Sequence, residues 1–120
     1  MQYILLLYVN EAGWPQLSKA EQEQGMAAYR AYSEALIQAG VLRSTHRLQP
    51  SANATRVRIA EGKSQVLDGP FADSKEQIGG LYLIDVPDLD AALAWAARCP
   101  ATGHGTVEVR PLWVVPSSVG

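Results

Sequence analysis

The stretch Gln2-Tyr3-Ile4-Leu5-Leu6-Leu7-Tyr8-Val9 decides the fold. Apolar and aromatic side chains fill it without alternation. A strand built from it therefore carries Tyr3, Leu5, Leu7 and Val9 on one face and Ile4, Leu6 and Tyr8 on the other. The run is too short to cross a bilayer, has no basic lead-in of a secretion signal, and meets Asn10-Glu11 at once. It reads as a strand covered on both faces, in a cytoplasmic protein.

Downstream of the Trp14-Pro15 loop, Ser18 and Glu21 have the S-x-x-E spacing of a capping box, in which each side chain satisfies the other residue's free backbone N–H. The pattern predicts a helix over 19–39, with Met26, Tyr29, Ser33, Leu36 and Ile37 as its inner stripe and Gly40 as its left-handed stop. Residues 41–49 read as a second strand ended by Pro50. Residues 55–60 and 63–67 flank Glu61-Gly62 as a hairpin, kept polar by Arg56, Arg58 and Lys63. Residues 78–86 give another apolar strand. Asp88 caps a second helix with a predicted buried stripe of Leu89, Ala92, Leu93 and Ala96, flanked by Trp95 and ended by Cys99-Pro100. The last strand is expected over 107–115.

This order predicts an α+β fold of the ferredoxin-like βαβ-βαβ plan with an inserted β-hairpin. Right-handed crossovers place both helices on one face of the sheet, so the other face is bare. An apolar face of that size exceeds what a soluble monomer exposes, and a homodimer with its sheets packed face to face is expected.

With 120 residues, 48% hydrophobic and 18% charged, the chain fits one globular domain over 1–120. Ten basic against twelve acidic residues give a net charge of −2 without a positive cluster, which argues against a nucleic-acid partner. A lone Cys99 closes no intrachain disulfide and builds no cysteine metal site. No metal or cofactor is expected: His46 and His104 lack ligand spacing, and no G-x-S-x-G, Walker A or G-x-G-x-x-G is present.

The densest polar cluster runs from Asp68 to Gln77. Gly69 permits a positive φ and Pro70 fixes the following turn, so together they can aim the Asp68 carboxylate as a general base or acceptor. The same tripeptide is also ordinary turn chemistry. Phe71, Asp73 and Lys75 are further candidate ligand contacts, alongside Gly69, Pro70 and Arg110. Tyr29 and His46 are candidate proton carriers, although an aromatic residue at helical spacing is as readily core. His46 is expected to share a strand face with Leu42, Ser44 and Leu48, partly buried. Glu108 and Arg110, two apart, point to one face, either as an ion pair or as an anion clamp. Cys99, at a helix C-terminus, reads as inert.

The stretch Asp68-Gly69-Pro70-Phe71-Ala72-Asp73-Ser74-Lys75-Glu76-Gln77-Ile78-Gly79-Gly80-Leu81-Tyr82-Leu83-Ile84-Asp85-Val86-Pro87 resembles the bacterial DGPF-domain proteins of the YCII-related superfamily. The similarity continues through 94–100 and 107–111 and reaches back to Gly40-Val41-Leu42 and Leu48-Gln49-Pro50. This resemblance implies a dimeric α/β-barrel. It also implies kinship with small enzymes similar to muconolactone isomerases, with a dehydrochlorinase, and with a YCII branch for which a catalytic His-Asp pair in a cleft has been proposed; the helical histidine of that pair falls at Tyr29 here. Many such proteins are encoded beside or fused to extracytoplasmic-function sigma factors. Two functions are therefore expected: a small-molecule-binding dimer, working as a metal-independent isomerase or lyase by proton transfer near Asp68, or a non-catalytic accessory module acting on a sigma factor.

Overall fold

The computed structural model describes residues 1–70 and 75–114. Along the chain run β1 (Gln2–Val9), α1 (Lys19–Gln38), β2 (Leu42–Arg47), β3 (Thr55–Ala60), β4 (Lys63–Asp68), β5 (Gln77–Asp85), α2 (Leu89–Arg98) and β6 (Thr106–Pro111), with 3-10 turns at Glu11–Gln16, Ser51–Asn53 and Pro100–Gly103. β1, β2, β5 and β6 form an antiparallel sheet of order β2-β5-β1-β6, and β3 pairs with β4 in a separate two-stranded sheet. This is the ferredoxin-like topology with an inserted hairpin. The expected end of the last strand at Val115 lies outside the described residues.

Alternation along β1 sorts its side chains as the sequence predicts. Tyr3, Leu5 and Leu7 are buried with Tyr82 and Ile84 of β5, Tyr32 and Leu36 of α1, and Ala92 and Ala96 of α2. Both helices therefore pack on this face. On the opposite face Ile4 stands between Leu83 and Arg110, and Leu6 between Leu81 and Glu108. Neither helix reaches that face.

The capping box forms: Ser18 Oγ accepts from Glu21 N at 3.1 Å and Glu21 Oε1 accepts from Ser18 N at 2.9 Å. The inner stripe of α1 is rotated from the expected one. Tyr32 and Leu36 are buried and Tyr29 half-buried, whereas Met26 and Ile37 are 44% and 61% exposed. The rotation follows from Tyr32, whose ring meets Tyr82 edge-on at 5.2 Å and whose hydroxyl donates to the Trp95 carbonyl at 2.8 Å. With that side chain turned inward, Ile37 lies about 100° round the helix from Leu36 and faces out.

The second helix is corrected in the same way. Ala92 and Ala96 are buried as expected, but Leu89 and Leu93 are each 47% exposed, and Cys99, Ala91 and Trp95 complete the inner arc. Alanines lie against the sheet because they allow a close approach. The leucines fall on the flank. In β2, an irregularity between Leu42 and Ser44 shifts the register: Leu42 pairs with Ile84 on the covered face, while Ser44 and His46 pair with Leu83 and Leu81 on the uncovered one. His46 therefore does not share a face with Leu42, and it is exposed rather than partly buried.

A tight approach fixes the start of β6. A Cβ built on Gly105 would overlap the Tyr8 carbonyl oxygen, whereas one on Gly103 would meet nothing within 4 Å. Gly105→Ala should therefore cost about 2 kcal/mol in urea unfolding, while Gly103→Ala leaves the midpoint nearly unchanged. Leu36 is fully buried. Leu36→Ala should cost about 3 kcal/mol and Ser18→Ala about 1 kcal/mol, both read from denaturant midpoints at constant m-value.

Candidate functional site

A cleft of about 640 Å³ opens where the hairpin joins the body. Its walls are Leu48, Gln49, Pro50, Ser51, Asn53 and Ala54 from the segment entering β3, Pro70, Glu76 and Gln77 from the segment leaving β4, and Tyr8 and Ile78 from the sheet. Leu48, Gln49 and Pro50 also line, with Arg47, a smaller hollow of about 270 Å³. The larger cleft has a volume suited to a small molecule, with apolar walls interrupted by amides, hydroxyls and one carboxylate.

Long-range hydrogen bonds set these walls. The Glu11 carboxylate accepts from the Ser51 N–H at 2.8 Å and from its hydroxyl at 2.7 Å, while the Glu11 N–H donates to Gln77 Oε1 at 3.1 Å. One residue at the end of β1 thus fastens both feet of the hairpin. Leu48 N donates to Gly79 O at 2.9 Å, and Gly69 N donates to Ala54 O at 2.7 Å, which ties the two feet to each other. Asn53 Nδ2 donates to Gln49 Oε1 at 3.1 Å and braces the 3-10 turn between them. On the sheet side, the pairing shifts between Leu7 and Tyr8, setting Tyr8 opposite Ile78 on the uncovered face. The Tyr8 hydroxyl reaches Glu108 Oε1 at 3.5 Å, a weak contact.

The predicted site residues are dispersed. Asp68 ends β4 opposite Thr55, is exposed, and is not among the lining residues. Gly69 has φ of 92°, the left-handed backbone expected of it, and Pro70 lines the cleft. Phe71 and Asp73 lie outside the described residues. Lys75 is exposed next to the lining residue Glu76.

His46 and Arg110 occupy the uncovered face on opposite edge strands, three strand spacings (roughly 14 Å) apart across the sheet and offset by two residues along it. Tyr29 belongs to the covered side and packs against the core, where burial pushes its phenol up to about 12. It stays a neutral phenol at physiological pH. Glu108 and Arg110 share a face, as their spacing requires, and both are exposed. Arg43 and the terminal ammonium both pair with Asp85, whereas Glu108 and Arg110 form no ion pair with each other, the first of the two alternatives their spacing offered.

His104 is an exposed loop residue. Cys99 is buried, and burial pushes its thiol up, consistent with an inert cysteine. Among the described residues, no three His, Cys, Asp or Glu side chains gather as a metal site, and no helix is long and apolar enough to cross a membrane.

Sequence reasoning passed over Glu11, Ser51, Asn53 and Tyr8. Glu11 carries a faint signal, a carboxylate directly after an apolar strand, but nothing local points from it to Ser51.

Comparison with known proteins bears on this geometry. An uncharacterised protein of Rhizobium meliloti strain 1021 is 40% identical over 116 residues, covering 93% of this chain and 92% of its own. The solved structure of 5-chloro-2-hydroxyhydroquinone dehydrochlorinase from Burkholderia phenoliruptrix AC1100, in complex with 2,5-dihydroxybenzoquinone, superposes with a TM-score of 0.57 over 94% of each chain at 14% identity. That likeness is one of fold. The family model of the YCII-related domain matches residues 1–116, and the chain belongs to that family.

Proposed function

We propose that the protein is a homodimeric small-molecule-binding protein whose ligand occupies the cleft at the feet of the hairpin. The carrying observation is the cleft itself: about 640 Å³, walled by Pro70 and the 48–54 segment, and opening beside Tyr8 and Ile78 of a sheet face that neither helix covers. Ile4, Leu6, Leu81 and Leu83 form an apolar centre on that face, and a second copy is the cover this reading supplies. The chain exposes 8556 Å², against the ~6,300 Å² expected of a folded monomer of its mass.

The chemistry that fits is proton transfer in an isomerase or lyase step, of the class to which the structurally similar dehydrochlorinase belongs. Asp68, which adjoins the cleft through Gly69 and the lining residue Pro70 rather than forming its wall, is the carboxylate this reading uses. The left-handed Gly69 and its N–H bond to Ala54 O hold the backbone that carries Asp68. Lys75 and Arg110 are cationic contacts for an acidic ligand, and His46 is a proton carrier on the face between the copies. Tyr29, across the sheet, takes no part in this reading. An accessory module that presents the same face to an extracytoplasmic-function sigma factor is the alternative, and it requires no ligand response.

A thermal-shift screen with 2,5-dihydroxybenzoquinone, small carboxylates and aromatic lactones tests this. A ligand at a hundred times its Kd adds about 2.7 kcal/mol, on the order of 10 °C in Tm for a chain of this length. Asp68→Asn should keep the shift and lose turnover of the same ligand. Absence of any shift with the wild-type protein overturns the binding reading, and unchanged turnover in Asp68→Asn removes Asp68 from the chemistry.

A further inference from the structure

One guanidinium at the base of the hairpin is left incomplete. Arg56 is half-buried, and its Nε is shut off from water without a hydrogen-bond acceptor. Among the described residues that are not exposed, no other side-chain nitrogen or oxygen is orphaned in this way. The Nη groups of Arg56 make no hydrogen bond or ion pair among the described residues, and they reach the surface. An arginine keeps its charge at any physiological pH and offers five donors, so burying one without an acceptor costs folding free energy that no described partner offsets.

The position of Arg56 ties this defect to the cleft. Ala54 has extended backbone and its carbonyl accepts from Gly69 N, so the ladder of the ribbon runs one step past the Thr55–Asp68 pair. Alternation then sets Arg56 on the same side of β3 as the cleft-lining Ala54, about 7 Å further along. An arginine side chain spans that length. Its cross-strand partner Leu67 is 41% exposed, against 67%, 72% and 65% for Val57, Ile59 and Val66 on the other side of the ribbon. The side that carries Arg56 is thus the one turned toward the body. Arg58 follows on the same side and is exposed, adding positive charge without a second buried donor.

We propose that Arg56 is an anion-binding residue of the cleft and that the ligand is a small carboxylate with an apolar body. The carboxylate meets the Nη groups first, and a small turn of the guanidinium brings Nε into a two-bond pair, so the ligand supplies the acceptor that the fold withholds. The apolar body lies against Leu48, Pro50, Pro70 and Ile78. Glu76 stands in the same wall, and its charge opposes a dianionic phosphate more than a monoanionic carboxylate. The inference rests on the reading of the cleft as a ligand site. It needs neither the homodimer nor a role for Asp68.

Titration calorimetry of the full chain with benzoate, and with benzamide as its neutral counterpart, tests it. The wild-type protein should bind benzoate the more tightly, and the Arg56 Nε–H signal in proton–nitrogen correlation spectra should move downfield with benzoate alone. Arg56→Met keeps most of the stem and removes the orphaned donor. It should weaken benzoate binding about thirtyfold, leave benzamide unchanged and not lower the urea midpoint. Arg56→Lys keeps the charge without the planar fork and should weaken benzoate about tenfold. Ile78→Trp, which fills the floor of the cleft, should abolish binding of both. Benzoate affinity that neither Arg56 variant moves, or that Ile78→Trp leaves intact, overturns the inference. A lowered midpoint in Arg56→Met with full benzoate affinity in Arg56→Lys assigns the residue to packing and likewise overturns it. A wild-type protein that binds neutral members of the thermal-shift screen but no carboxylate overturns the anionic class and leaves the cleft standing. One that binds nothing overturns both.

Discussion

A four-stranded antiparallel sheet that receives both its helices on one side leaves its two central strands with a second face to account for. In β1 and β5 that face is Ile4, Leu6, Leu81 and Leu83, bordered by Glu108 and Arg110 on one edge strand and by Ser44 and His46 on the other. The arrangement has an apolar centre and a polar margin, as the core and rim of a protein interface do. Most other features follow from it. The helices need bury only one narrow stripe each, the molecule is two layers deep, and the ends of the central strands become the floor of the cleft.

This constraint was legible in the sequence because it is written in period two. The unbroken apolar run of β1 placed apolar side chains on both faces of the strand, and the capping box at Ser18 and the Glu61-Gly62 turn located α1 and the hairpin through local chemistry. The phases of the helices were legible only in part. Leu36 and Ile37 are neighbours with equal claims to an inner position by spacing alone, and the choice between them is made by Tyr32 against Tyr82 and the Trp95 carbonyl. In α2 the predicted stripe joined Leu89 and Leu93 to Ala92 and Ala96, and only the alanines are buried. The sheet instead took the alanines, since close packing rewards fit rather than side-chain hydrophobicity taken singly. The side to which Leu42 points was hidden by a register shift that no alternation pattern reveals.

The candidate site was legible only in part, for a related reason. Asp68-Gly69-Pro70 stands out because turn chemistry is local, and Pro70 does line the cleft with Gly69 in the left-handed region. The rest of the cleft depends on partners distant in sequence: Glu11 meets Ser51 forty residues on and Gln77 sixty-six residues on. No motif encodes such separations. Residues chosen for their chemistry alone, Tyr29, His46 and Arg110, are scattered by the fold to two sides and opposite edges of the sheet.

The cleft lies at a junction between two kinds of stability. On the body side it rests on strands whose inner side chains, Leu5 and Ile84, are fully buried, while on the other it is bounded by a ribbon whose apolar side chains are largely in water. Segments of low local stability are where proteins place groups that must adapt to a ligand, provided their ends are anchored. Among the described residues the anchors include Glu11 on Ser51, Leu48 on Gly79, and Gly69 on Ala54. The shape of the cleft is therefore set at the feet of the ribbon rather than at its tip. A carboxylate outside the Asp68 loop, that of Glu11, does more to define the cleft than any residue that composition alone would single out.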